Sequence, residues 1–461
     1  MVTKNSGKIL ALAISAALGS VSAQAADSEL LDTLLRNGAI NQSQYKDLSD
    51  KEAVAAEEEA KDWTNNVKVS VGEKGLKVET ADKQFKFQFG GRLQVEADGD
   101  IGDDELSQGA TEGVEVRRAR MYMKGVVWGD YKYIVEADFA DNDIAIKDAF
   151  LTYKGFKGWA GLEITAGHQK QPISMELQES SNDIMFTERS TVNVLTAPAF
   201  DRALGLHAKF SDKSWSAQLG FYGDGVSPAL DSEGDKSTDD EGWSFASRVT
   251  YAPINTKAQV VHLGAFGGYK GFSDVKSTVK FASETTHMSN LKLTNVKITD
   301  VKGLGIFGVE SAYMNGPFSI QGEYAHEWVT RGGGMNGLDL NAAYVQVAWT
   351  LTGEARSYKG SDGEFKYLKA SENFSWSKGT WGAFELAGRY GISDIAYGSY
   401  EDGTREQDIT FALNWYMNNN VRVMADYRYA FDLAGSGVTE LDGSDLDHGV
   451  HSFTLRTQFK M

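Results

Sequence analysis

The chain has 461 residues, with 49 glycines, 5 prolines, no cysteine, 41% hydrophobic and 11% aromatic residues. This composition suits strands and tight turns rather than disorder, and it removes disulfides, thiolate metal sites and cysteine nucleophiles from the possible chemistries. A net charge of -18 excludes an outward basic field for nucleic acid, and after residue 25 no run approaches the roughly 20 apolar residues a membrane helix needs.

Residues 1–25 read as a signal peptide. Lys4 and Lys8 form a positive n-region, Ile9 to Leu18 an apolar stretch, and Ala23-Gln24-Ala25 a small-x-small cleavage site, so an exported mature chain is expected to begin near Ala26. Residues 26–62 change character. Leu30, Leu31, Leu34 and Leu35 recur at helical spacing, Asn37-Gly38 supplies a stop, and Tyr45 and Leu48 continue a second helical stretch. Its narrow apolar stripe suits either a short self-associating coiled coil or a solvated spacer. Residues 63–84 are expected to form a short β linker hairpin, and residues 85–461 the main domain.

From Val67 onward the hydrophobic period is two. The C-terminus is the clearest case, with Phe453, Leu455, Phe459 and Met461 alternating with Ser452, Thr454, Arg456, Gln458 and Lys460. About sixteen such segments start near residues 85, 114, 131, 146, 161, 202, 215, 243, 258, 304, 317, 340, 380, 407, 420 and 449. Each is close to the ~10 residues of a tilted transmembrane strand. No helix is expected beyond the leading segment.

The connections alternate between tight turns, as at Trp128-Gly129-Asp130 and Asn315-Gly316-Pro317, and long hydrophilic loops such as Asp98 to Gly113. One short rim and one long rim are the mark of an outer-membrane barrel rather than a soluble sandwich. The expected fold is therefore all-β, a 16-stranded antiparallel transmembrane β-barrel with a short N-terminal helical or coiled-coil segment. A barrel of that width leaves an aqueous channel. The connection from Gln171 to Asp201 differs from the others in carrying apolar pieces, Ile184-Met185-Phe186 and Val192-Asn193-Val194-Leu195, and is placed to fold inward and narrow the pore.

Strand parity puts thirteen basic side chains in the lumen against eight acidic ones. Arg118, Arg120, Lys124, Arg248, Arg389 and Arg428 belong to the basic set, and Glu96, Glu136, Asp138, Glu310, Glu323, Glu385, Asp408 and Asp426 form the acidic one. The lumen charges admit two readings: a row of cationic groups that replaces water around a passing anion, or mixed charges paired for stability.

The runs Phe89-Gly90-Gly91-Arg92-Leu93-Gln94, Arg117-Arg118-Ala119-Arg120 followed by Lys124-Gly125, Gly167-His168-Gln169-Lys170-Gln171-Pro172 and Thr187-Glu188-Arg189-Ser190 together resemble the phosphate-selective porin O and P family, in family order from about residue 85 to the end. The resemblance implies a homotrimer of sixteen-stranded barrels in outer-membrane lipid and lipopolysaccharide, with an inward third loop and a basic ladder that passes small anions, phosphate in the best-known members. By position, Arg118, Arg120 and Lys124 match the family's basic second strand, and Lys170, Ser174 and Arg189 lie where its constriction loop begins and folds. Met461 stands where such barrels usually end in an aromatic.

No cofactor, metal set or nucleophile motif is expected. The histidines are scattered, and Asp445, Asp447 and His448 lack regular ligand spacing. The competing functions are a general, weakly cation-selective porin drawing on the acidic outer loops, an outer-membrane hydrolase, and a plugged structural barrel.

Overall fold

In the computed structural model the described residues are 33–51, 67–101, 112–159, 161–225, 241–273, 277–289, 291–435 and 449–461. The signal peptide, most of the acidic stretch after Asp98, and Asp445, Asp447 and His448 lie outside them. Residues 33–51 belong to one compact unit, and residues 69–78 with 83–461 to another. In the first, helical segments at 33–36 and 42–51 are separated by Gly38 at φ 70°. Asn41 and Gln44 cap the second reciprocally, the Gln44 amide donating to Asn41 Oδ1 at 2.9 Å and the Asn41 amide to Gln44 Oε1 at 3.0 Å.

Strands β1 (Val67–Gly72) and β2 (Gly75–Thr80) form a hairpin that pairs through β2 with β3 (Lys86–Ile101). The chain continues through β4 (Gly113–Val127), β5 (Tyr131–Asp138), β6 (Ala145–Tyr153), β7 (Leu162–Lys170), β8 (Arg202–Asp212), β9 (Trp215–Tyr222), β10 (Trp243–Asn255) and β11 (Gln259–Gly271). After β12 (Ser277–Glu284) come β13 (Lys292–Asn315), β14 (Phe318–Arg331), β15 (Leu338–Thr350), the two short strands β16 (Tyr358–Lys359) and β17 (Glu364–Phe365), and then β18 (Ala383–Ile395), β19 (Thr404–Tyr416), β20 (Val421–Ala434) and β21 (Val450–Lys460). All but β1, β2, β12, β16 and β17 form a closed barrel of sixteen antiparallel strands. The closing pair is β21 with β3, from Lys460↔Arg92 to His451↔Ile101. The terminal Met461 extends this pairing, its amide donating to Gly91 O at 2.9 Å.

The barrel is inverted relative to a soluble protein. Arg248, Arg422 and Arg456 are fully buried, whereas Leu455 is 51% and Phe411 58% exposed on the outer wall. Only a surrounding hydrocarbon phase makes such a surface stable, and only a closed barrel or helices satisfy every backbone group within it.

The observed strands begin within a few residues of the expected positions, apart from β13. Its first half pairs with β12 as an inward excursion, Val279 opposite Ile298, before its second half joins the barrel wall. Two other expectations fail. Residues 171–201 contain helices, Met175–Gln178 and Val192–Phe200, where no further helix was expected. The second is apolar enough to bury on several sides, so tertiary contact rather than a helical stripe holds it. The short rim is also not uniformly short, because the β15–β18 connection spans residues 351–382 and folds into the lumen. Part of the inner wall is accordingly apolar. Val192, Leu195 and Phe200 pack with Phe281, Ile298, Leu340, Tyr344 and Ile395 in one buried cluster.

Candidate functional site

Residues 171–201 form a constriction loop pinned at both ends. Gln171 N donates to Asp201 O at 2.8 Å, closing its neck. Ser174, fully inside and at φ 60°, caps the short helix Met175–Gln178 by accepting from Leu177 N at 3.2 Å. Glu323 on β14 accepts the Met175 and Glu176 amides at 2.9 and 2.8 Å, satisfying further donors of that N-terminus. At the other end Lys170 Nζ donates to the carbonyls of Leu177, Gln178 and Glu179 at 2.6, 3.1 and 3.0 Å. Arg189 reaches back to the carbonyls of Glu176 and Glu179. Lys170, Ser174 and Arg189 thus shape the loop.

The loop then crosses the lumen on hydrogen bonds to the far wall. Arg422 donates to Ile184 O at 2.9 Å, Asn414 to Met185 O at 2.9 Å, and Arg456 to Thr187 O at 2.6 Å. Asp426 accepts from the Thr187 amide at 2.7 Å. Arg389 donates to Glu188 O at 3.0 Å and lies 4.5 Å above the Phe186 ring.

Opposite the loop, β4 carries four cationic side chains inward. The register with β3 runs Gln94↔Arg118 and then Val95↔Val116, so Arg117 is an extra residue in a β-bulge. Arg117 and its neighbour Arg118 therefore both face the lumen, and strict parity placed only the second there. Arg117 Nε is 3.3 Å from Glu188 Oε1. Arg118 Nη1 donates to Gln94 Oε1 at 2.8 Å and has no carboxylate partner among the described residues. Arg120 is neutralised by Asp138 at 2.6 Å and Glu136 at 3.1 Å. Lys124 lies 4.5 Å over the Tyr122 ring and makes no ion pair among the described residues.

The other basic residues of the set are paired. Arg248 is fully buried, 2.6 Å from Glu310 Oε1, and also donates to the Asp362 and Gly363 carbonyls at 3.0 and 2.6 Å. Arg428 pairs with Asp408 at 2.7 Å and Glu406 at 3.0 Å. Arg389 approaches Glu176 Oε1 at 3.6 Å. The sequence-level set thus divides into residues that shape the loop, residues locked in ion pairs, and the cations Arg118 and Lys124, which make no ion pair among the described residues.

The inward insert 351–382 was not anticipated. Its tip at Gly363, φ 66°, lies so close to β10 that a Cβ there would sit 2.7 Å from Thr250 Cγ2. Lys209 holds Asp362 at 2.6 Å, Tyr358 OH is 2.6 Å from His262 Nδ1, and Arg356 donates to Asp183 O at 2.9 Å on the constriction loop. Burial opposes ionisation of Asp362, but Lys209, Lys366 and Lys359 outweigh it and hold that carboxyl well below its ordinary range.

Between the constriction loop, β4 and the β12 excursion lies a cavity of about 230 Å³ lined by Arg117, Glu188, Arg189, Thr286, His287 and Arg428. Burial would raise the Glu188 carboxyl, yet the guanidinium groups of Arg117, Arg118 and Arg456 hold it well below the carboxylate range. Charge-assisted donors around such a cavity can replace part of an anion's hydration.

Residues 87–461 match the family described as phosphate-selective porin O and P. The chain belongs to that family. This porin is 25% identical over 417 residues to Porin O of Pseudomonas aeruginosa, covering 84% of the chain and 90% of that protein. Among solved structures, the loop L8 deletion mutant of OmpT, an outer membrane protein of Vibrio cholerae, superposes with TM-score 0.52 at 14% identity, over 82% of this chain and all of the other. An anion-selective porin from Comamonas acidovorans does so with TM-score 0.51 at 12% identity, over 82% of this chain and 100% of its own. These two share the barrel fold. This porin is an integral β-barrel channel of the outer membrane.

Proposed function

We propose that the channel prefers small anions, phosphate among them. The observation that carries this is the inward pair Arg117 and Arg118 at the bulge, in which Arg118 donates to Gln94 and makes no ion pair among the described residues. A charge outside an ion pair, in a lumen where the effective dielectric is below that of water, attracts a counter-ion more strongly than an exposed one. Lys124 repeats the situation further along β4. Lys170, Ser174 and Arg189 act at one remove by fixing the constriction loop, and Arg389 and Arg428 line its far side. Membership of a family described as phosphate-selective supports phosphate as the ligand.

The test is the reversal potential of the purified protein in a planar bilayer across a potassium chloride gradient, with phosphate added as a blocker of chloride current. An anion-side potential lowered by phosphate is expected. A cation-side potential would install the general-porin reading instead, which Glu96, Asp98 and Glu115 near the long-loop rim favour.

The assembly is proposed to be a homotrimer, as the family resemblance implies. Unheated detergent gels should show a band that collapses to the 50.4 kDa chain, less any leader, only on heating. A monomer by light scattering in mild detergent would refute it.

A further inference from the structure

We propose that Glu96, Asp98 and Glu115 bind a calcium ion at the long-loop end of the lumen. Each offers a carboxylate oxygen, and the three oxygens lie within 4.8 Å of one another. Their convergence follows from the bulge. With Arg117 as the extra residue, Glu115 sits directly opposite Glu96 in the ladder, and Asp98 lies two residues further along the same inner face of β3. Like charges directly opposite in a sheet repel, so this register carries a cost that a bound cation would remove.

A second, independent observation points to a ligand. Glu96 is 1% and Asp98 6% exposed, yet Glu96 Oε2 and Asp98 Oδ1 have no hydrogen-bond partner among the described residues. Arg456 neutralises only the other oxygen of Glu96, and no cationic side chain pairs with Asp98 among the described residues. Buried carboxylate oxygens without donors are rare in folded proteins and call for an ion, a water or a proton. An all-oxygen donor set selects a hard cation. Calcium, with oxygens at about 2.3–2.6 Å and a tolerant geometry, spans such a group more readily than magnesium at about 2.0–2.1 Å.

The ion would also fasten the inward excursion to the wall. His287 Nδ1 lies 2.7 Å from Glu115 Oε1, Met288 N donates to Asp98 Oδ2 at 3.4 Å, and Ser289 Oγ donates to Asp100 Oδ2 at 2.5 Å. Filling the site cancels negative charge beside Arg117 and the 230 Å³ cavity. The site does not depend on the anion reading, because its readout is binding rather than current.

The experiment is calorimetric titration of calcium chloride into the full-length protein, stripped with chelator in detergent, alongside Asp98→Asn and Glu115→Gln. One saturable calcium site per chain is expected, weakened at least about tenfold in either variant, with magnesium weaker in all. Among the described residues Glu115 makes no ion pair with the barrel wall, so Glu115→Gln decides the matter if Asp98→Asn fails to fold. Equal affinity in the native protein and Glu115→Gln would place the ion elsewhere. No saturable binding by the native protein would mean that the three carboxylates hold no calcium. Either result overturns the proposal.

Discussion

Arg118 faces Gln94 across the β3–β4 ladder at 2.8 Å, and the next ladder pair skips Arg117 to join Val116 with Val95. This one-residue slip turns two adjacent guanidinium groups into the lumen and brings Glu115 in beside them. On the outer wall it leaves Val114 and Val116 facing lipid.

Selectivity is expected to follow the cations that make no ion pair among the described residues, Arg118 and Lys124. Arg118→Gln combined with Lys124→Gln should move the zero-current potential toward the cation side, while conductance changes modestly. Removing Arg120 instead leaves Asp138 without its cation and Glu136 with Arg92 alone, and should act on stability first. Reversal potentials of the two variants in one salt gradient separate these cases. No shift in the double variant would disprove the role given to β4.

Arg248→Met should cost about 3–5 kcal/mol in urea unfolding from lipid vesicles, because it leaves Glu310 buried without its cation. The same change releases the carbonyls of Asp362 and Gly363. Single-channel conductance should therefore rise as the insert loosens. An unchanged conductance at reduced stability would show that Lys209 and Arg356 suffice to hold it.

Leu455→Arg places a charge near the middle of β21 on the lipid side, and a loss of about 2–4 kcal/mol is expected there. Thr454 is not the water-facing control that parity suggests. It is buried beside the constriction loop in a cavity shared with Arg389 and Asp426, so an arginine at that position should block current. Urea unfolding and conductance of the two variants give opposite signatures if the register is right.

Glu179, on the constriction loop, has its carboxyl pushed up to about 8 by burial, with Arg356 only partly offsetting it. A carboxyl raised in the folded state adds stability that is complete below its unfolded value and is lost as pH rises toward 8. Stability should therefore fall between about pH 5 and 8, and ionisation should add a negative charge under the loop and lower anion preference. Glu179→Gln should remove that part of both pH profiles. A native protein with flat selectivity from pH 6 to 9 contradicts the assignment.

The sequence by itself determined the barrel. Side chains in a strand alternate with period two, lipid and water lie on opposite faces, and so β21 could be read residue by residue, with Phe453, Leu455 and Phe459 outward and Ser452, Arg456 and Gln458 inward. Even the bulge left a trace. Apolar residues fall on Val114 and Val116 and then on Ala119, Met121 and Met123, a change of phase across Arg117. What only the tertiary structure decided is how the lumen is filled. The helix Val192–Phe200 and the insert 351–382 have no period of their own to announce them, because their apolar residues are buried by several strands far away in the chain. Pairing is non-local in the same way. Whether Arg248 or Arg118 enters an ion pair depends on which strands stand nearby in the wall, Glu310 lying one strand beyond β11, and that is settled by barrel closure and register rather than by the residue's own neighbours in sequence.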